Sequence, residues 1–321
     1  MALKSKHISH DIRLTKKYIK KRADGELPSA ITPWKQVNDA LLDGVPWWTV
    51  LSIAGSSGSG KSTVMEALKY FIMDSDPTVE CLSIELDMIC RQNIMRRISK
   101  RTGLSMNTLS SKKDYTLTEE EKALVDKELD LLNKYPIFNI DRSLTVEELS
   151  DEIDEFIVER GFKDEHGVKK KLLISIDYVS LLKGKRGEDK RLTLESLYEM
   201  LIDKKKICED EEIPVLFICL SQLNRDVFNA QRIASPSMHY PVESDFFGSS
   251  AIFTLSDVVI MAMNPSKIRG IETYGPYKYP IKSLTGFPFI YMHLMKVRFA
   301  EAGSVLKMQA DFRVSSIYDA T

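Results

Sequence analysis

The chain predicts an α/β fold: a mostly parallel central sheet flanked by helices on both faces, closed by a late antiparallel hairpin. Three observations predict it. Short apolar runs suited to buried strands alternate with helical patterns along most of the sequence, and strands covered on both faces by crossover helices form parallel sheets. One such run, Thr49–Ala54, leads straight into a glycine-rich loop and then a helix. Polar motifs follow several of the other apolar runs, and the carboxyl ends of strands are where such sheets bind ligands.

Taken in order, residues 1–22 carry eight Lys or Arg against one acid, Asp11. Ile8, Ile12, Thr15 and Ile19 recur at helical spacing and give a thin apolar stripe. The segment reads either as a frayed tail or as an arm that docks on a neighbouring subunit. Residues 22–28, with Gly25 and Pro28, read as a linker. The expected organisation is therefore a basic arm or linker helix over residues 1–30 and one α/β domain over 31–321.

Strands are expected at Thr49–Ala54, Glu80–Ile84, Ile137–Ile140, Leu172–Ile176, Val215–Leu220, Val258–Met263 and Phe289–Lys296, with Ser304–Arg313 completing the hairpin. Helices are expected at Ser62–Phe71, Asp87–Arg101, Thr118–Asn133, Thr145–Arg160 and Leu192–Ile207. Two of these open with a Thr followed three residues later by Glu (Thr118 with Glu121, Thr145 with Glu148), the capping-box pattern.

Composition narrows the class. With 43% hydrophobic and 28% charged residues the chain reads as an ordinary globular protein. It contains no apolar run of about 18 residues or more, so no membrane span is expected, and the N-terminus lacks a signal-peptide core. A cytoplasmic protein is the expectation. Cys81, Cys90, Cys208 and Cys219 lie far apart, which suits reduced buried thiols, and the five scattered histidines suggest no zinc site. A net charge of −1 argues against a surface coated with basic charge but leaves room for local nucleic-acid contacts.

The strongest motif is Gly55-Ser56-Ser57-Gly58-Ser59-Gly60-Lys61-Ser62, followed by Thr63. Glycines permit the tight turn that points backbone N–H groups at phosphate, Lys61 reaches the β- and γ-phosphates, and Ser62 supplies a hydroxyl for Mg²⁺. This predicts a P-loop that binds ATP. Asp177 ends an apolar strand, the position of a Mg²⁺-holding carboxylate. Glu85 ends another and reads either as the base for an attacking water or as a solvent-facing strand end. Gln222, in Ser221-Gln222-Leu223-Asn224-Arg225, reads as a γ-phosphate sensor or as part of a polar loop. Lys296 and Arg298 share one side of a strand. Their spacing alone favours charge blunting an edge strand over a phosphoryl clamp for a neighbour.

Together these motifs resemble, in order, the ATPase domain of DnaB-type replicative helicases within the RecA-like group. They are the glycine loop, Leu82–Met88, Ile176–Leu182, Leu220–Arg225, Ser244-Asp245 with Ser249–Asp257, and Lys296–Arg298. The similarity runs over about residues 31–315. It implies Glu85 as catalytic base, Gln222 as sensor, and Arg298 with Lys296 as an arginine finger acting on the next subunit, hence a homo-oligomer, by family a hexamer. It also implies single-stranded DNA as partner and a primase or loader. The family usually carries an N-terminal helical domain, whereas about 30 residues precede the core here. A phage-like motor working in the host cytoplasm is therefore expected. The family's DNA loop reads Asp-Leu-Arg-Glu-Ser-Gly, whereas this chain has Asp245-Phe246-Phe247-Gly248-Ser249-Ser250, and Phe299-Ala300-Glu301 follows Arg298 where Asn-Gly is common. DNA contacts are accordingly expected from Arg191, Arg225, Gly248, Ser249 and Ser250, with stacking by Phe246 or Phe247. The basic stretch Lys183, Lys185, Arg186, Lys190 and Arg191 is either a channel loop or a solvated surface loop. The alternative function is a RecA-like DNA-dependent ATPase, a recombination or loader protein that binds single strands or partners without unwinding.

Overall fold

The computed structural model describes residues 7–110, 116–161, 170–185, 187–248 and 250–320. Its centre is a nine-stranded sheet. The strands are β1 (Thr49–Gly55), β2 (Val79–Glu85), β3 (Ile137–Ile140), β4 (Lys171–Asp177), β5 (Val215–Gln222), β6 (Val258–Met263), β9 (Phe289–Val297), β10 (Val305–Asp311) and β11 (Ser316–Asp319); β7 (Thr273–Tyr274) and β8 (Tyr279–Pro280) form a separate small ribbon. The spatial order is β11-β10-β9-β6-β1-β5-β4-β2-β3. The run from β6 to β3 is parallel throughout, and β9, β10 and β11 add antiparallel strands at one end. The expected class holds, and β11 extends the hairpin that the sequence pattern stopped at Arg313.

The helices are α1 (Ile8–Ala23), α2 (Lys35–Ala40), α3 (Lys61–Ser75), α4 (Cys90–Thr102), α5 (Met106–Ser110), α6 (Glu119–Leu132), α7 (Val146–Arg160), α8 (Lys190–Asp210), α9 (Ala230–Ala234) and α10 (Ala251–Leu255). Both predicted capping boxes form: the Thr118 and Thr145 hydroxyls accept from the backbone N–H of Glu121 and Glu148, and each Glu side chain accepts in return from the Thr backbone N–H.

Alternation along the strands divides the core in two. Val50, Leu172, Ile174 and Ile176 face a cluster with Leu149, Ile153, Leu197 and Leu201 of α7 and α8. Leu51, Ile53 and Leu173 face the opposite cluster with Val64, Leu68 and Ile72 of α3. Helices thus cover both faces, which is why the central strands are buried and mostly apolar.

The N-terminal helix α1 has no buried residue. It lies against its own chain, with Lys17 Nζ 2.5 Å from Glu212, His10 Nε2 3.4 Å from Asp210, and the Tyr18 ring edge-on to Trp48. The segment expected as a linker packs tightly here: Leu27 and Ala30 are buried, and Trp47 Nε1 donates to the Pro28 carbonyl at 3.0 Å. Among the described residues no helix is long and apolar enough to cross a membrane.

Candidate nucleotide site

Strand β1 ends at Gly55, and the chain turns through Ser56–Gly60 into the first turn of α3, where Lys61, Ser62 and Thr63 lie. Gly58 and Gly60 have φ of +74° and +91°, the left-handed region open to glycine. A Cβ on Gly55 would lie 2.2 Å from Ser59 Oγ and 2.9 Å from the Ala262 carbonyl oxygen, so only glycine fits. Ser59 Oγ is buried and has no hydrogen-bond partner among the described residues. A buried hydroxyl left open inside a glycine loop at a helix N-terminus suits an anionic ligand. Burial lowers the Lys61 pKa, opposed by the Asp177 and Asp87 carboxylates, and its Nζ lies 5.9 Å from the Tyr178 ring centroid.

The neighbouring strands bring the other motifs to the same edge. Gln222 pairs in register with Gly55, and Glu85 pairs in register with Asp177. Because β1, β5, β4 and β2 are adjacent, the glycine loop, Gln222, Asp177 and Glu85 stand at four consecutive strand ends. Asp177 and Glu85 are each 2% exposed, so neither is a surface residue. Burial, reinforced by the Glu85 charge, pushes the Asp177 carboxyl up to about 6 against the Ser62 hydroxyl and Lys61. Glu85 Oε1 accepts from Ser83 Oγ at 2.7 Å and Oε2 from Asn93 Nδ2 at 2.7 Å.

The cations at the end of β9, Lys296 and Arg298, take a different environment. Their strand lies inside the sheet, between β6 and β10, which overturns the edge-strand reading. Lys296 Nζ donates to the Phe253 and Thr254 carbonyls at 2.9 and 2.7 Å, and Arg298 Nη2 to Thr254 at 3.2 Å, at the carboxyl end of α10. The Arg298 side chain is 49% exposed, with Nε 3.5 Å from Asp257.

The family model of the DnaB-like helicase C-terminal domain matches residues 32–298. The chain belongs to the DnaB-like helicase C-terminal domain family. Two solved structures resemble it. One is an isolated ATPase domain, at TM-score 0.75 and 15% identity, covering 99% of this chain and 100% of that one. The other is a DnaB-like replicative helicase described with its interactions with primase, at TM-score 0.73 and 16% identity, covering 96% of this chain and 68% of that one. At these identities the likeness is one of fold. No curated protein matches the sequence. Membership in the DnaB-like family makes this a nucleotide-binding ATPase of helicase type.

Within this DnaB-like domain the segment after β5 is tied to Gln222. The Phe247 N–H donates to the Gln222 carbonyl at 3.0 Å, the Asn224 N–H to Asp245 at 2.7 Å, and the Asn224 side chain to Ser244 at 2.9 Å. Of the two expected stacking residues, Phe246 is buried at 6% exposure and Phe247 stands 50% exposed. Only Phe247 offers a ring face to a ligand, because Phe246 belongs to the core. Asp245 is turned inward and ion-paired with Arg232 at 2.5 Å. Arg191, Arg225, Gly248 and Ser250 are exposed, while Ser249 and Arg186 lie outside the described residues. In the basic stretch, Lys185 pairs with Glu147 at 3.0 Å and Lys190 Nζ donates to the Leu182 carbonyl.

Several neighbours of the site escaped the motif reading. Asn264, after β6, donates from its side chain to the Gly58 carbonyl at 3.1 Å. Lys267 flanks Gly58, and Phe312 flanks Gly60. Asn93 and Lys69 reach Glu85 from α4 and α3. Glu66 and Lys69 carried a signal, the i, i+3 charge pair, but such pairs normally mark solvated faces, and this one is buried.

Proposed function

We propose that this chain is an ATP-dependent DNA helicase motor that encircles and moves along single-stranded DNA as a homo-oligomeric ring, by family a hexamer, hydrolysing Mg·ATP at subunit interfaces in the cytoplasm. The observation that carries the proposal is the register of β1, β5, β4 and β2, which sets the glycine loop, Gln222, Asp177 and Glu85 side by side.

In this reading the backbone N–H groups of Gly55–Ser62, with Lys61 and Thr63, bind the triphosphate. The buried Asp177 carboxylate and the Ser62 hydroxyl are hard oxygen donors suited to Mg²⁺. When bound, that ion neutralises charge on the β- and γ-phosphates. Glu85 accepts a proton from water as the water oxygen attacks the γ-phosphorus. The bond between the γ-phosphorus and the β,γ-bridging oxygen breaks, and ADP leaves with that electron pair. Arg298, with Lys296, stabilises the transferring phosphoryl group from the next subunit. Loss of the γ-phosphate frees Gln222, and the hydrogen bonds linking Gln222 and Asn224 to residues 244–247 pass the change to Arg225, Phe247, Gly248, Ser249, Ser250 and Arg191 at the DNA. A primase or loader is a proposed partner.

A forked-duplex unwinding assay tests the proposal. Strand separation that needs both ATP and Lys61 is expected. Single-strand-stimulated ATPase without any separation would instead favour a DNA-dependent ATPase that binds strands or partners without unwinding them.

A further inference from the structure

The Glu85 carboxylate is held by a buried charge cluster that no phosphate-binding motif includes. Lys69 lies two turns along α3 from Lys61, and its side chain is 3% exposed. Its ammonium is 2.5 Å from Glu66 Oε1 and 3.5 Å from Glu85 Oε1. It also donates to Ser83 Oγ at 3.0 Å, and Ser83 in turn donates to Glu85 Oε1 at 2.7 Å. Ser83 Oγ has a competing partner, Ser175 Oγ at 3.1 Å. The lysine bond occupies a lone pair of Ser83 and leaves its hydroxyl proton for Glu85. Lys69 therefore acts on Glu85 twice, by charge and by orienting the serine.

A carboxylate at 2% exposure needs a counter-charge, because burying an unpaired ion is very costly. Burial opposes the charged form of Lys69, but Glu66 and Glu85 outweigh it and raise its pKa above the ordinary lysine range. Burial raises the Glu66 pKa, with Lys69 opposing.

We propose that Lys69 is a positioning residue for the Glu85 base, and that Glu66 anchors Lys69 in that place. The proposal rests on the reading of Glu85 as the base. Lys69 borders a cavity of about 360 Å³ between α3, α4, α6 and β3 that also meets Glu85, Asn93 and Asn139. That space admits the longer arginine side chain, which makes a conservative rescue feasible.

The test is steady-state ATPase of the full chain with Mg·ATP. Lys69→Met is expected to lower kcat about tenfold to a hundredfold, the usual effect of removing a group that orients a functional side chain. KM for ATP stays within about twofold, because the phosphate loop is untouched. Lys69→Arg recovers most of the rate. An unchanged kcat in Lys69→Met overturns the proposal. A raised kcat also overturns it and makes Lys69 a restraint on the base. If Lys69→Met does not fold, Glu66→Gln carries the test: a several-fold loss of kcat at constant KM supports the anchor, and no loss overturns it. Glu85→Gln is run alongside. Full turnover in that variant sinks the reading of Glu85 as the base, whereas its inactivity beside a fully active Lys69→Met sinks only the positioning role.

Discussion

The two ends of the sheet treat their charged residues differently. On the parallel side, Asp177 and Glu85 are 2% exposed, and Glu85 is held by Ser83, Asn93 and Lys69. On the antiparallel side, Lys296 and Arg298 rest on the carbonyls of Phe253 and Thr254, with the Arg298 side chain half exposed. The Glu85 carboxylate is constrained from several directions. The arginine is held by one long hydrogen bond and a partly solvated ion pair, contacts worth little individually, so it can be redirected at small cost. Under the proposed function, one chain would hold the fixed half of a phosphoryl-transfer site and present the movable half to a neighbour.

The largest expected effect breaks that comparison directly. Arg298→Ala should lower DNA-stimulated kcat by roughly 10³–10⁵ with nucleotide binding largely intact. Glu85→Gln should also be inactive. Mixing the two inactive variants should restore part of the activity, because some interfaces then combine an intact Glu85 with an intact Arg298 from its neighbour. ATPase measured across mixing ratios checks this, and a flat zero would place the arginine in the same site as the base it was separated from.

A second expectation contrasts the buried His293 with the more solvated cations Lys296 and Arg298 at the end of the same strand. His293 of β9 is 3% exposed, its Nε2 2.9 Å from the Tyr274 hydroxyl, and burial lowers its pKa from 6.5 to about 3. Between those values the unfolded chain holds the extra proton. The contribution is therefore full above pH 6.5 and is lost as pH falls toward about 3, by up to ~5 kcal/mol. Denaturant melts of the wild type and His293→Gln over this range check it: the variant should show a shallower acid-side decline.

The smallest effect belongs to the exposed loop. Phe247→Ala should weaken single-strand binding by about 1–3 kcal/mol per stacked base and leave basal ATPase unchanged, because the backbone bond to Gln222 survives. Fluorescence anisotropy with a labelled oligonucleotide measures it. Phe246→Ala should instead lower stability, since that ring is in the core.

Much of the fold was legible because its signals are local. Apolar runs located the seven strands from β1 to β6 and β9, and Thr-x-x-Glu placed the starts of α6 and α7. Short elements such as α2, α9, α10 and the β7–β8 ribbon have too few residues for a period to show. The same limit explains β11, which is four residues long. In the candidate site, Lys61, Ser62 and Asp177 are proposed from motif and strand end alone. Glu85, Gln222 and Arg298 needed the family pattern, because a polar residue at a strand end has a bland reading as good as the functional one.

By itself the sequence determined the strand–loop–helix cradle at Gly55–Ser62, since glycine torsions and a helix N-terminus are properties of consecutive residues. It also determined the α/β class, since burial on two faces is written as mostly apolar strands separated by helical patterns. Only the tertiary structure decided which strands are neighbours. The crossovers place β5 and β4 between β1 and β2, and that order sets Gln222 beside Gly55 and Asp177 beside Glu85. Only the tertiary structure, too, decided that Glu66 and Lys69 are buried, with Lys69 beside Glu85, and that Phe247, unlike Phe246, faces outward. Helical spacing says which residues share a face, but what covers that face depends on elements far away in the chain.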